Sequence, residues 1–152
     1  MTTPRYQALA KEIIPVVELP DNAGHVRVIA GEFSGKTGPA KTFSPVSLWD
    51  VRLRAGATAS FMLPEGHTTA LFVRHGKVVT TGGVAGEADM LLFTREGRTF
   101  TVTAEADSDL FLMAGAPLNE PVVGHGPFVM NTVEEIRQAI TDVQSGRFGR
   151  LV

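Results

Sequence analysis

From Val26 to Ala114 the chain alternates short apolar runs with glycine, proline and polar turns, the spacing of an antiparallel sandwich or barrel. The pattern predicts strands over Val26–Phe33, Ser47–Leu53, Thr58–Leu63, Thr69–His75, Lys77–Thr81, Ala88–Phe93, Arg98–Ala104 and Asp109–Ala114. In Arg98–Ala104, Phe100, Val102 and Ala104 alternate with Thr99, Thr101 and Thr103, so one face is buried and the other wet. Trp49, Val51 and Leu53 alternate in the same way with Asp50 and Arg52, which puts Asp50 toward water. Ala55-Gly56 and His75-Gly76 place glycine where a tight hairpin wants a positive φ, so consecutive strands are expected to pair. Short strands that close on themselves or pack as two sheets make a jelly roll, an all-β fold that hides its edges.

A helical period appears only late. Thr132 and Glu135 form a capping box, Ile136, Ile140 and Val143 share one face, and Gly146 stands as the C′ residue, which predicts a helix over 132–145. Tyr6 to Ile14 has room for one helical turn before Pro15 stops it.

Composition narrows the function classes. At 152 residues, 43% apolar and 20% charged, the chain is expected to fold as one domain over 1–152, with the jelly roll at about 26–115. A net charge of -2 gives no attraction to phosphate backbones or anionic lipid, so no nucleic acid and no membrane partner is expected. With no cysteine, thiol chemistry and cysteine zinc sites are excluded. Met1 to Tyr6 carries no apolar leader core, and no run nears the roughly 18 apolar residues of a membrane helix; a cytoplasmic location is expected. GEFSGKT at Gly31–Thr37 has three residues between its glycines, where a phosphate-binding loop needs about four and a following helix. No serine sits in a G-x-S-x-G elbow.

The segment Gly124–Gly149, GHGPFVMNTVEEIRQAITDVQSGRFG, resembles the C-terminal signature of the pirin family. PRYQ at Pro4–Gln7, VRVIAGEFSGKTGP at Val26–Pro39, LPEGHTTALFVRHG at Leu63–Gly76 and AGAPLNEPV at Ala114–Val122 are similar to the second half of a pirin, so the resemblance runs through nearly the whole chain. It implies a cupin-type double-stranded β-helix with one C-terminal α-helix. Pirins are bicupins, with iron held by histidines and a carboxylate in the N-terminal roll and the C-terminal roll usually empty. This sequence begins where the second roll would begin, so the resemblance implies no cofactor for this chain, the iron site lying in the absent N-terminal cupin.

The residues agree with that implication. A mononuclear cupin site is written G-x5-H-x-H-x3,4-E-x6-G, then G-x5-P-x-G-x2-H-x3-N. His67 takes the first histidine position, but Thr69 stands at the second and Phe72 or Val73 at the glutamate, and Gly86–Thr103 contains no histidine. An unconventional site from His67, Glu65 and a distant histidine is the remaining metal option. His25 and His75 are read as turn residues and His125 as a backbone-bonding residue before Pro127–Met130.

The expected function is therefore a pirin-like single cupin module, non-catalytic on its own, that binds a small hydrophobic ligand or serves as a scaffold or regulator for a protein partner. The alternative is half of a pirin-type quercetin 2,3-dioxygenase whose metal comes from the missing cupin. No catalytic residue and no metal ligand is assigned. A ligand pocket in the barrel mouth is expected from Trp49, Phe61, Leu71, Phe100 and Val102, with Val51 beside them and His67 at the rim. A homodimer is expected through Phe128, Val129, Met130, Phe148, Leu151 and Val152, apolar groups that loss of a partner roll leaves uncovered.

Overall fold

Alternation dictates the architecture. Along Val46–Leu53 every second residue, Ser47, Trp49, Val51 and Leu53, is buried, because side chains two apart share a sheet face. The computed structural model describes residues 5–149. Its strands are β1 (Val16–Glu18), β2 (Gly24–Ala30), β3 (Glu32–Phe33), β4 (Lys36–Thr37), β5 (Val46–Leu53), β6 (Thr58–Met62), β7 (Thr68–His75), β8 (Lys77–Thr80), β9 (Gly83–Gly86), β10 (Met90–Leu92), β11 (Thr99–Ala104), β12 (Ser108–Gly115), β13 (Val123–His125) and β14 (Phe128–Met130). One helix, α1 (Val133–Gln144), follows, and short 3-10 turns occupy Lys11–Ile13 and Pro20–Asn22. No helix among the described residues is long and apolar enough to cross a membrane.

The chain divides after Pro117 into two compact units. In the first, a six-stranded sheet in the order β1-β2-β5-β12-β7-β10 and a four-stranded sheet in the order β6-β11-β8-β9 contribute to one hydrophobic core. Val28, Trp49, Leu71 and Leu112 come from the larger sheet and Phe61, Val78, Val102 and Ala104 from the smaller. All pairings are antiparallel. Among the described residues the sheets do not close into a barrel: β1 and β10 end one sheet, β6 and β9 the other. The expected barrel mouth is thus the end of a two-sheet jelly roll.

The expected strands are present with ends shifted by one or two residues, except that Val26–Phe33 breaks at Gly31 into β2 and β3 of different sheets, and the two glycine turns are not hairpins. β5 and β6 lie in different sheets, as do β7 and β8, so each turn is a corner where the chain changes sheet. The glycine requirement is the same: Gly56 has φ +78° and Gly76 has φ +90°. Strand-like dipeptides cannot reveal which partner a strand takes, and β6 in fact pairs with β11.

On the outer face of the six-stranded sheet, Asp50 is not free in water. Its carboxylate accepts from Arg27 Nη1 at 3.1 Å and faces Arg74 Nη2 at 3.3 Å, from strands on either side. At the sheet's end Arg52 donates Nε at 2.6 Å and Nη2 at 3.2 Å to Asp109, a cross-strand pair of β5 and β12. The Arg52 hydrogen bond, more than burial opposes, holds the Asp109 carboxyl below its ordinary value.

In the second unit, α1 packs on the β13–β14 hairpin. The expected capping box is present: Thr132 Oγ1 accepts from the Glu135 amide at 3.2 Å and Glu135 Oε2 from the Thr132 amide at 3.1 Å. Gly146 has φ +76° beyond the helix end. Ile136 and Ala139 are buried and Ile140 half-buried, while Val143 is exposed. The His125 side chain is exposed in the hairpin and, among the described residues, makes no hydrogen bond to the backbone.

The two corner glycines are expected to differ. An added Cβ at Gly56 meets nothing, whereas at Gly76 it would sit 2.3 Å from Ser108 Oγ and 2.5 Å from the Asp107 carbonyl. In urea titrations Gly56→Ala should cost about 1 kcal/mol from left-handed strain alone, and Gly76→Ala about 2–3 kcal/mol or more, clash added. Equal losses would show that the Gly76 corner yields. The Asp109 shift gives a second test. Its lowered folded value stabilises the fold above the unfolded carboxyl's range near ~3.9 and ceases to do so as pH falls through the folded value. Asp109→Asn should therefore unfold at lower urea than the parent at neutral pH, with the gap closing below about pH 4.

Candidate functional site

The turn leading into β7 carries His67. Gly66 takes φ +83°, and its amide bonds the Arg95 carbonyl at 3.0 Å, while Leu63 N–H bonds the Arg98 carbonyl at 2.8 Å. These bonds lash the 63–67 turn to the 93–98 loop between β10 and β11. On the inner side Phe93 N–H bonds the Thr69 carbonyl at 3.0 Å. Between turn and loop lies a pocket of about 150 Å3, lined among others by His67, Thr69, Phe93, Arg98, Thr99 and Phe100.

Two chemistries meet there. Phe93 and Phe100 stack with ring centroids 4.4 Å apart, and Phe100 continues through Phe61 at 5.6 Å to Trp49 at 6.3 Å, so an aromatic array runs from the pocket into the core. Against it stand the imidazole of His67 and threonine hydroxyls. His67 Nδ1 is buried and, among the described residues, has no hydrogen-bond partner; Trp49 Nε1 is the other such side-chain atom. A buried polar atom without a partner costs on the order of 1–3 kcal/mol, so a hydrogen-bonding group brought to this nitrogen would relieve that cost.

Of the residues expected to line a pocket together, the structure brings His67 and Phe100 to this one. Trp49, Phe61, Leu71 and Val102 are at most 1% exposed and belong to the core cluster, as does Val51. The inward phase of each strand was legible; that the facing sheet fills it was not. Phe93 and Thr69 were missed as pocket residues. Thr69 shares the inward phase with His67 two positions earlier, which is the signal that marks it.

The donor set does not fit the iron of the bicupin pattern. Thr69 is buried where the pattern asks for histidine, and Phe72, half-buried, or Val73, buried, stands where it asks for glutamate. Glu65 turns to Arg98 at 3.6 Å, and His75 Nδ1 pairs with Glu87 at 3.0 Å. His25 lies in β2 and His125 in β13. Among the described residues no three histidine or carboxylate side chains converge on a point.

The family model of the pirin C-terminal cupin domain matches residues 48–149. A Pseudomonas aeruginosa protein, PA2418, is 45% identical over 99% of this chain and 52% of its own length. Human pirin is 37% identical over 98% of the chain and 52% of its own length. The crystal structure of a quercetin 2,3-dioxygenase from Acinetobacter baumannii superposes with a TM-score of 0.92 at 42% identity, covering 99% of this chain and 53% of that one. The chain thus spans about half the length of the curated relatives it matches.

The split between pocket and core is testable by stability. His67→Leu, which removes the unpartnered nitrogen but keeps the bulk, should leave the urea midpoint within about 0.5 kcal/mol of the parent or raise it. Phe61→Ala should lose about 3–5 kcal/mol. A large loss in His67→Leu would make the imidazole a structural prop.

Proposed function

Because this chain belongs to the pirin family of cupins, we propose that it is a binding module that carries out no oxidation by itself, its pocket at His67 accepting a small ligand. The supporting observation is the His67 imidazole, its Nδ1 buried without a partner among the described residues, lining one pocket together with the stacked Phe93 and Phe100. A ligand that suits both features lays an apolar ring or chain on the phenylalanines and turns one hydrogen-bonding atom to the imidazole. Its size is bounded: about 150 Å3 lies below the roughly 300 Å3 at which pockets for drug-sized ligands begin, which favours a single-ring compound over a three-ring flavonol.

A second reading draws on the Acinetobacter relative, whose structure is that of a quercetin 2,3-dioxygenase. In it this chain is the metal-free half of such an enzyme, and a separate cupin roll supplies the metal. Both readings give the isolated chain the same metal content. After mild chelation it should retain no more than about one iron, nickel or copper per ten chains, since one imidazole does not hold such an ion tightly.

Titration with benzoate and 4-hydroxybenzoate, followed by amide NMR, tests the binding reading. Shifts should gather at His67, Thr69, Phe93 and Phe100 and vanish in His67→Leu. Shifts scattered over the surface, or unaffected by His67→Leu, overturn it. Quercetin should survive aerobic incubation with the chain; turnover abolished by His67→Ala would make the chain a catalyst. Turnover that appears only when a metal-bearing cupin roll is added favours the second reading.

A further inference from the structure

The two larger sheets leave their edges exposed to different degrees. β1 and β10 are each three residues long, and β1 is bracketed by Pro15 and Pro20. β9 begins and ends in glycine. β6 differs: Thr-Ala-Ser-Phe-Met runs for five residues with no charge, proline or bulge on its pairing with β11, which are the devices that keep edges from pairing. The bonds Leu63 N–H to Arg98 and Ala104 N–H to Ala57 fix which β6 groups point to β11. In an antiparallel ladder that phase gives Ala59 and Phe61 to β11 and turns the backbone groups of Thr58, Ser60 and Met62 to the open side. A groove of about 850 Å3 lies beside the first half of β6, between Thr58 and Ser60 on one side and Val17, Pro20 and Phe33 on the other.

We propose that β6 is a pairing edge for a second copy of this chain, joined antiparallel about a two-fold axis at Ser60. Thr58 then lies opposite the partner's Met62, and the two four-stranded sheets become one continuous sheet, an isologous contact that closes on itself. Charge selects this register. The Arg54 corner precedes β6 and the Glu65 turn follows it, so antiparallel pairing brings Arg54 of each copy to the partner's Glu65. Arg54 forms no ion pair among the described residues, and Glu65 is held only by Arg98, at 3.6 Å. Both ends of the shared strand pair therefore carry opposite charges, and a parallel pairing would bring like groups together. Met62, 71% exposed, gains cover from the partner's Thr58.

Sizing chromatography with light scattering on the full chain at low micromolar concentration should give a dimer. Ser60→Pro removes an outward N–H that β11 does not use, and Met62→Lys charges the edge. Each should weaken association by about tenfold or more while the circular dichroism stays that of the parent. Arg54→Glu should weaken it as well, and Arg54→Glu combined with Glu65→Arg should restore it. A monomeric parent overturns the proposal. So does a dimer that persists in both Ser60→Pro and Met62→Lys, or one lost in Phe148→Asp but not in these, which would move the contact to the chain's end. If Ser60→Pro does not fold, Met62→Lys and the charge exchange decide alone.

Discussion

Everything in the larger unit depends on the register that locks β5, β12 and β7 side by side. Trp49 stands opposite Leu112, and Leu112 opposite Leu71, so three large side chains meet in one inward row. One row further lie Val51, Leu110 and Val73, all fully buried. Slipping β12 by one residue would expel Leu110 and Leu112, force the differently shaped Phe111 and Met113 into their places and turn Asp109 inward, at a cost of about several kcal/mol. The smaller sheet has no core without that face to pack on, since Phe61, Val78 and Val102 are buried only as members of the same cluster.

The rows also explain the polarity of the site. Moving along the inward face from Trp49 toward the 63–67 turn, the next row holds Thr69, Ala114 and Ser47. Small and hydroxylated side chains replace the large ones where the sandwich ends, and space appears because nothing bulky fills it. His67 comes next in phase. The pocket is therefore no separate construction but the place where the alternating core thins out, with Phe93 and Phe100 left as its apolar side.

How much of this was legible follows from which signals are local. Period-two alternation in β5 and β11 is local, so Trp49, Val51, Leu53, Phe100 and Val102 were assigned to the inward face correctly. The capping box at Thr132 and Glu135 is local and was found. The pirin motifs were legible as well, and the family model covers them from residue 48 onward. Partnership is not local. Gly56 and Gly76 satisfy a hairpin and a sheet-to-sheet corner equally, because both need a positive φ, and only the long-range pairing of β6 with β11 separates them. The short strands β1, β4, β9, β13 and β14 were missed because two to four residues carry too little pattern to stand out. Asp50 shows the same limit: its outward phase was plain, but Arg27 and Arg74 reach it from β2 and β7, which the sequence does not place beside it.

The arrangement at His67 then follows from what each position tolerates. A carboxylate at Val73 would be wholly buried and would cost several kcal/mol unless a metal or cation met it. A histidine at Thr69 would fill much of the small pocket. With valine and threonine there instead, the fold gains apolar packing, and the small pocket lined by His67 lies beside Thr69. Stability and metal binding are in competition at these positions, because every ligand added to the inward face is a polar group buried for the metal's sake. What the packed alternative leaves is a small pocket lined by one imidazole, whose Nδ1 is buried without a partner among the described residues.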